Sequence, residues 1–337
     1  MQQTSSQALC TLLSTKVHTA LEALAEGRER AAYALLDFPS YWNIGDSAIW
    51  LGQVDVLRRL HGRRPDYVSH PRYPLDQVGR ALPEGGLIYI QGGGNFGDIW
   101  PAHQNYRVAT IARYPNHRIV QLPQSLHFND LAAIEQTRRV IGAHRDFHLL
   151  VRDQKSFDFA ERHFDCNVQL VPDGALCIDM SQFRRAADPQ GIGCIFRSDK
   201  ERRDDAVAGQ ALFGAAGKED WRVHKSYVNK LQKGVIGAFK ALPQRLTGHT
   251  GAPAFTAFAR ARVALGFAQI DRHAVLVTDR LHGHIMATLL GKPHVVIDNF
   301  YGKISNFIDA WGADDVTLRA TDFAQAHEMA DQRGGFR

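Results

Sequence analysis

Residues 86–98 read GLIYIQGGGNFGD, and this stretch decides the fold. Its first part, residues 86–91, is a continuous apolar run, which is typical of a strand buried on both faces of a parallel sheet. Its second part, residues 92–98, opens with three consecutive glycines, which let backbone amides line a ligand or form a turn that needs positive φ. The stretch is not a P-loop, because G-K-[ST] is missing, and it is a poor dinucleotide fingerprint. We interpret it as a binding loop after a central strand.

The same order of strand, polar turn and helix recurs along the chain, which predicts βαβ units and parallel sheets. The pattern is interrupted near residues 180–190, where polar residues and Pro189 occur, so we place a domain boundary there. The resulting domains are residues 1–185 and 186–337, and the last helix is free to pack back on the first domain. The predicted strands are 32–38, 86–91, 118–122, 148–151, 168–171, 192–196, 274–278 and 294–297, and the helices are 47–60, 130–143, 155–164, 281–290 and 301–311.

Composition excludes several classes of protein. The 337 residues are 45% hydrophobic and 22% charged, which excludes a disordered chain, and no apolar run approaches the roughly 18 residues of a membrane span. The four cysteines lack C-x-x-C spacing, which argues against a zinc module or a disulfide scaffold and fits a reduced cytoplasm. The apolar patch Ala8–Leu13 lacks the cationic flank of a secretory signal. The net charge of +5 is too small to indicate nucleic acid, but it suits anionic small molecules or weak contact with acidic lipid.

Polar residues directly after predicted strands are the candidates for function, because ligands of parallel α/β sheets bind beyond the carboxyl ends of the strands. Each candidate also has a plain structural interpretation: Asp46 as a helix cap, the glycines as a turn, Arg152–Asp153 as a surface ion pair, and Asn299 as a cap beside a solvated Lys303. Five loops contain the candidates: Tyr41–Asp46, Gly92–Asp98 with Gly93, Gly94 and Asn95, Arg152–Ser156, Asp279–His284, and Asp298–Lys303.

The segment after the strand 274–278 is the most informative of these loops. An anion bound there would meet the Arg280 guanidinium, the amino end of the next helix and the His282 imidazole together. His284 lies two residues further on and therefore faces another side of the helix. The Arg-x-His pair at a strand end leads us to favour a functional role over a structural one.

Several of these motifs resemble those of the polysaccharide pyruvyl transferases. They occur in the order of that family between residues 43 and 303, and Asp279–Gly283 is the most specific of them. Gly174 departs from the family pattern, and residues 199–262 contain no segment that we can match. The matching motifs are Asn43-x-Gly45-Asp46, Gly92–Asn95, Arg152-Asp153-x-x-Ser156, Pro172-Asp173-x-Ala175, Asp279–Gly283, and Gly291-Lys292-Pro293 followed by Asp298-Asn299-x-Tyr301-x-Lys303.

The resemblance implies two Rossmann-like domains that face a cleft, as in GT-B glycosyltransferases. It implies transfer of pyruvate from phosphoenolpyruvate to a hexose of an exopolysaccharide, or of its lipid-linked precursor, to form a cyclic ketal. The enzyme is then expected in the cytoplasm or at the inner face of the membrane, with at most peripheral membrane association. The implied roles are catalysis by His282 and Arg280, donor binding by Arg152, Leu281, Gly283, Asn299 and Lys303, and acceptor binding or base catalysis among Asn43, Asp46, Gly93, Gly94, Asn95 and Asp298.

The residue types suit this chemistry independently. Addition to C2 of phosphoenolpyruvate requires a proton at C3, which a protonated histidine can supply near neutral pH. No cluster of acidic residues and histidines has the spacing of a metal site, so we expect neither a metal nor a cofactor. Two alternatives stay open: a GT-B glycosyltransferase that uses a nucleotide sugar, and a non-catalytic carbohydrate-binding protein of an envelope assembly complex. A proton donor beside an anion site argues against the second.

Overall fold

The computed structural model describes residues 4–198, 202–216, 219–221, 244–298 and 302–334, without the side chains of 244–251. Within these residues the strands form two parallel sheets with helices packed on them. The strands are β1 (Tyr33–Leu36), β2 (Tyr67–Val68), β3 (Leu87–Ile90), β4 (Gly93–Gly97), β5 (Arg118–His127), β6 (Phe147–Val151), β7 (Asn167–Leu170), β8 (Ile192–Ile195), β9 (Val275–Thr278), β10 (His294–Ile297) and β11 (Thr317–Ala320). The helices are α1 (Ser5–Ala25), α2 (Ile44–His61), α3 (Asp76–Ala81), α4 (Pro101–Arg113), α5 (Leu131–Gly142), α6 (Gln154–His163), α7 (Ala206–Ala211), α8 (Gln244–Asp271), α9 (Leu281–Leu290), α10 (Lys303–Trp311) and α11 (Phe323–Gly334).

The first sheet positions the amino-terminal loops of the site. Its strands lie in the order β2-β1-β3-β5-β6-β7, with β4 added on β5, and every described pair is parallel. The chain leaves β1 toward one edge through β2 and returns on the other side of β1 as β3. The carboxyl ends of β1 and β3 therefore flank a topological switch point, where α/β sheets form their ligand crevices.

The second sheet has the order β11-β10-β9-β8 and is also parallel. Three of its strands are fully buried, and the loops of interest follow them. These strands are IGCI (192–195), VLVT (275–278) and HVVI (294–297). The loops after β9 and β10 lead into α9 and α10. The α/β fold class with parallel sheets predicted from the sequence is thus confirmed.

One hydrophobic cluster joins elements that pack on both sheets. It includes Leu13 of α1, Ile44 of α2, Phe267 of α8 and Ile285 of α9, all at most 2% exposed. A Cβ atom at Gly266 would lie 2.5 Å from Ile44 Cγ2, so α8 and α2 approach closely only because that residue is glycine. This packing sets the amino end of α2 beside the amino end of α9.

The carboxyl-terminal helix α11 packs on the second sheet, whereas Val17 and Leu21 of α1 are buried against β1 of the first sheet. Ser6 of α1 donates a 2.6 Å hydrogen bond to Asp314, and Ala326 and Ala330 of α11 are buried in the cluster on that sheet. Within the described residues, no helix is both long enough and apolar enough to cross a membrane.

Three features differ from the pattern-based expectation. The glycine stretch predicted as a loop forms β4. Gly97 at its end has φ +129°, and a Cβ there would overlap the His127 carbonyl oxygen, so only glycine fits this position. The strand predicted over 118–122 continues through Pro123 to His127. The elements α1, β2, α3, α4, α7, α8 and β11 lie where no element was predicted. Of the predicted site residues, Asn299 lies outside the described residues, as does Tyr301 of the same motif.

Candidate active site

Arg152 forms the buried base of the site. It follows β6 and is only 1% exposed, and its Nη1 atom forms an ion pair with Asp173, which is completely buried. Its Nε atom donates a 2.9 Å hydrogen bond to the Ser125 hydroxyl. The sequence suggested a surface pair with Asp153 as the alternative, but Asp153 instead caps α6 by accepting from the Ser156 amide at 2.9 Å. Arg152 is therefore a fixed, buried cation at the carboxyl edge of the first sheet.

A second cation, Lys303, converges on the same place from the other half of the chain. A Cβ atom at Gly94 would lie 3.1 Å from Lys303 Nζ and 3.2 Å from Arg152 Nη2. Glycine at position 94 thus lets the strand backbone approach both of these groups closely. Two like charges brought together at a partly buried position favour an anion as ligand.

His282 completes this cluster. Its Nε2 atom lies 3.6 Å from the Asp173 carboxylate, the side chain is 12% exposed, and Nε2 makes no hydrogen bond to any described residue. Burial favours the neutral form of Asp173, but Arg152, His282 and the Ala175 amide hold the pKa of its carboxyl well below its usual range. Asp173 is therefore ionised, and its carboxylate lies against both the Arg152 and the His282 side chains. We call Arg152, His282, Lys303 and Asp173 the cationic cluster.

The turn Tyr41–Asp46 lies directly against His282. Asn43 is the cap of α2, since its Oδ1 accepts from the Gly45 amide at 2.9 Å, and its Nδ2 donates to Asp46 at 2.8 Å. A Cβ atom at Gly45 would lie 2.4 Å from His282 Nδ1, so only glycine leaves room for the imidazole. Asp46 Oδ1 in turn lies 3.7 Å from the Cβ position of Gly93, whose φ is +136°. The structure therefore brings these candidates beside the cationic cluster.

Asn95 is held by a buried arginine that the sequence analysis did not single out. Arg107 is completely buried and donates to Asn95 Oδ1 at 2.7 Å and to Gln121 Oε1 at 2.7 Å. Gln124 also donates to Asn95 Oδ1, at 2.9 Å. These amide acceptors hold the guanidinium under the glycine stretch, and burial lowers its pKa to about 10. Asn95 thus anchors the backbone of β4.

Arg280 lies in a different environment from the cationic cluster. Its Nε and Nη2 atoms donate to the two carboxylate oxygens of Asp220 at 2.9 and 3.0 Å, and its guanidinium lies over the Trp221 ring. Both charged side chains are mostly buried. Binding of an anion by Arg280 would require exchange of Asp220 for that anion, and its catalytic role stays a prediction.

The remaining candidates have structural partners. The Asp298 carboxylate accepts from the amides of Ile304 and Ser305 at 3.0 and 2.8 Å, which fixes the start of α10 and hence Lys303. Leu281 is 3% exposed in the shared hydrophobic cluster. A Cβ atom at Gly283 would lie 2.3 Å from Thr278 Oγ1, so this glycine permits α9 to pack on β9.

Asp279 is a buried acid at the end of β9. It is 3% exposed, and its Oδ1 accepts from the Arg197 amide at 2.8 Å. Burial raises the pKa of Asp279 to about 7, against the opposing charges of Arg280 and Arg197. In the described part of the chain, no three side chains among His, Cys, Asp and Glu are grouped so that they could hold a metal ion.

The sequence is similar to known proteins across the segment that contains these site residues. The family profile described as "Polysaccharide pyruvyl transferase" matches residues 43–299. The chain is 32% identical to "Putative pyruvyl transferase EpsO" of Bacillus subtilis, over 82% of this chain and 84% of that protein. It is 28% identical to "Pyruvyl transferase 1" of Schizosaccharomyces pombe, over 91% of this chain and 76% of that protein. An uncharacterized protein of Klebsiella pneumoniae has a similar solved structure, with a TM-score of 0.58 and 16% identity, over 90% of this chain and 98% of that one.

Proposed function

The chain belongs to the polysaccharide pyruvyl transferase family and is a transferase; from this we propose that it moves pyruvate from phosphoenolpyruvate to a hexose, forming a cyclic ketal and releasing phosphate. The hexose belongs to an exopolysaccharide or its lipid-linked precursor, and the enzyme acts in the cytoplasm or at the inner face of the membrane. The observation that supports this most is the convergence of Arg152 and Lys303 on Gly94 beside His282.

The cationic cluster suits both anionic groups of phosphoenolpyruvate. Arg152 presents a planar fork of N–H donors, which matches a carboxylate or a phosphate bidentately, and Lys303 supplies a point charge. Asp173 neutralises only part of this positive charge. Glycine at position 94 lets the β4 backbone lie close to both cations with no side chain between them.

His282 is the proposed proton donor to the alkene carbon. The acceptor hydroxyl oxygen bonds to C2, the electrons of the C2–C3 double bond take the proton from His282, and the hydroxyl proton goes to a base. The C2–phosphate bond then breaks as a second hydroxyl of the same sugar bonds to C2, which closes the ketal ring. Of the two hydroxyl protons, one ends on C3 and the other on the released phosphate, so both protein groups return to their starting states.

The experiment that tests this function uses the purified chain, phosphoenolpyruvate and a panel of p-nitrophenyl hexopyranosides of gluco, galacto and manno configuration. We expect phosphate release that depends on the sugar, and a saccharide mass that grows by one pyruvate less one water. A parallel incubation with nucleotide sugars checks the glycosyltransferase alternative. Sugar transfer from a nucleotide, without phosphate release from phosphoenolpyruvate, would contradict the proposal.

Metal removal is expected to leave the rate nearly unchanged. Arg152, Lys303 and backbone amides supply the positive charge that the donor needs, so we propose that no divalent ion takes part. The check is the initial rate with and without excess EDTA. Loss of the activity, with recovery on adding one divalent ion, would refute this prediction.

Gly45→Ala is expected to lower the turnover number by about 10²-fold. The new methyl group would overlap the His282 ring and displace it, and a shift of about 1 Å in a reacting group costs rate on that scale. Gly142→Ala is the matched control, because a Cβ there meets only Asp165 at 4.0 Å. Steady-state kinetics on both variants provide the measurement, and an active Gly45→Ala enzyme would show that His282 does not act from this position.

A further inference from the structure

A histidine–aspartate pair lies at the switch point of the first sheet, outside the cationic cluster. His103 Nδ1 lies 2.8 Å from Asp37 Oδ1, and their side chains are 15% and 1% exposed. Asp37 is the residue directly after β1, and His103 is in the first turn of α4, which follows the glycine strand β4. Because the acceptor of this hydrogen bond is a carboxylate, Nδ1 carries the proton and Nε2 is the basic nitrogen of the neutral ring. Nε2 makes no hydrogen bond to a described residue.

Two features of Asp37, its backbone conformation and its unpaired carboxylate oxygen, lower the stability of the folded chain. Its φ is +69°, which is uncommon for a residue other than glycine, and its Oδ2 atom is buried without a hydrogen-bond partner among the described residues. An unsatisfied buried carboxylate oxygen destabilises the folded chain. Neither feature is required by the sheet, since β1 ends at Leu36. Strain and unsatisfied polar atoms of this kind are concentrated at functional sites.

The pair and the cationic cluster lie on opposite sides of one turn. The His103 ring meets the Tyr41 ring edge-on with centroids 5.5 Å apart, and Tyr41 begins the turn Tyr41–Asp46. At the other end of that turn, Gly45 contacts the His282 ring. The turn Tyr41–Asp46 thus contacts one histidine at each of its ends.

One exposed aromatic ring contacts His103, and a second exposed aromatic residue directly precedes its helix. Tyr41 is 39% exposed, and Trp100, directly before α4, is 42% exposed. Trp100 and His103 share the first turn of that helix, as the His103 amide donates to the Trp100 carbonyl at 3.1 Å. Tyrosine and tryptophan side chains combine an apolar ring face with a polar group that can contact water. Such a ring face can pack against the apolar face of a hexose.

Resting on the proposed function, we propose that His103 is the base that takes the proton of the acceptor hydroxyl, with Asp37 as its positioning residue and Tyr41 and Trp100 as the surface for the hexose. As the hydroxyl oxygen bonds to C2 of the donor, its proton moves to His103 Nε2, while His282 protonates C3. When phosphate leaves, His103 returns this proton to the phosphate, and His282 takes the proton of the second hydroxyl.

The charges around His103 set the expected pH dependence. Burial lowers the pKa of His103, but the hydrogen bond and charge of Asp37, with the charge of Asp46, raise it above the ordinary value. Arg107 on the same helix opposes them, and His70, in the loop after β2, interacts electrostatically with His103. The base must be neutral, so the rate falls as the pH drops through the pKa of His103. Asp37→Asn removes a negative charge and should move this acid limb to lower pH.

His103→Asn is the test variant, because the amide nitrogen can replace Nδ1 at Asp37 while no basic nitrogen remains. We expect the turnover number with phosphoenolpyruvate and p-nitrophenyl hexosides to fall by about 10²- to 10⁴-fold, the range for loss of a general base. The Kd of phosphoenolpyruvate, measured by calorimetry, should stay within about twofold. Imidazole added to His103→Ala should restore part of the rate, which a purely structural role would not allow.

His148→Gln is the matched control. His148 forms a 2.8 Å pair with Asp146 and is also 15% exposed, but it lies at the amino end of β6, on the opposite edge of the sheet. It should keep the wild-type turnover. A His103→Asn enzyme within about threefold of wild type, or one with lost turnover, an unchanged acid limb and no imidazole rescue, would overturn the assignment while leaving the proposed function intact. A wild-type enzyme inactive with every hexoside would instead overturn the proposed function itself.

Discussion

His282→Gln is expected to lose between about 10² and 10⁴ in turnover number while it still binds phosphoenolpyruvate. Glutamine keeps a hydrogen-bond donor near Asp173 and much of the volume of the ring, but it cannot supply a proton to C3. Steady-state kinetics together with calorimetric titration of the donor separate these two effects. The rate of the wild-type enzyme should also fall at high pH, because only a protonated imidazole can donate a proton to C3.

His284→Gln is the control for this variant. His284 is two residues away on α9, but its ring is buried against His294 at 2.8 Å. We expect it to change the melting temperature more than the turnover number. If His284→Gln lowers turnover more than His282→Gln does, the proton donor has been assigned to the wrong histidine.

Arg152→Lys is expected to raise the KM for phosphoenolpyruvate by about 10- to 100-fold. The charge is kept, but the fork that binds Asp173, Ser125 and the donor together is lost, and one charge-assisted hydrogen bond contributes about 1.5–3 kcal/mol. Initial rates over a range of donor concentrations measure the change, and thermal unfolding shows whether the variant is folded.

Arg118→Lys provides the comparison. Arg118 also bonds a carboxylate, with its Nε 3.0 Å from both oxygens of Asp146, but it begins β5 and so lies at the amino edge of the same sheet. Its donor KM should stay within about twofold of wild type. Equal effects of the two substitutions would mean that Arg152 acts through stability alone.

Periodicity predicts the parallel sheets well because buried strands are short, apolar and followed by polar turns. The helix predicted at 281–290 and the strand at 294–297 match α9 and β10. Local pattern cannot predict β4, since GGNFG has almost no side chains, and its pairing with β5 depends on distant contacts. The helix α8 includes Pro253, a residue that is unfavourable inside a helix, so local propensity does not predict it.

The site was predictable where polar residues directly follow a strand. This rule leads to Arg152 and to the segment around His282, and the structure brings those two residues together through Asp173. It missed Asp37, because the predicted strand 32–38 extends two residues beyond β1 and places this carboxylate inside the strand. His103 and Arg107 had no signal, since both are on a helix and acquire partners only through tertiary packing.

A crystal structure of the enzyme with phosphoenolpyruvate tests the central claim most directly. The account predicts that one anionic group of the donor lies between Arg152 and Lys303 beside Gly94, and that its C3 carbon faces His282 Nε2. Donor bound at Arg280 in place of Asp220, with the cationic cluster unchanged, would contradict it.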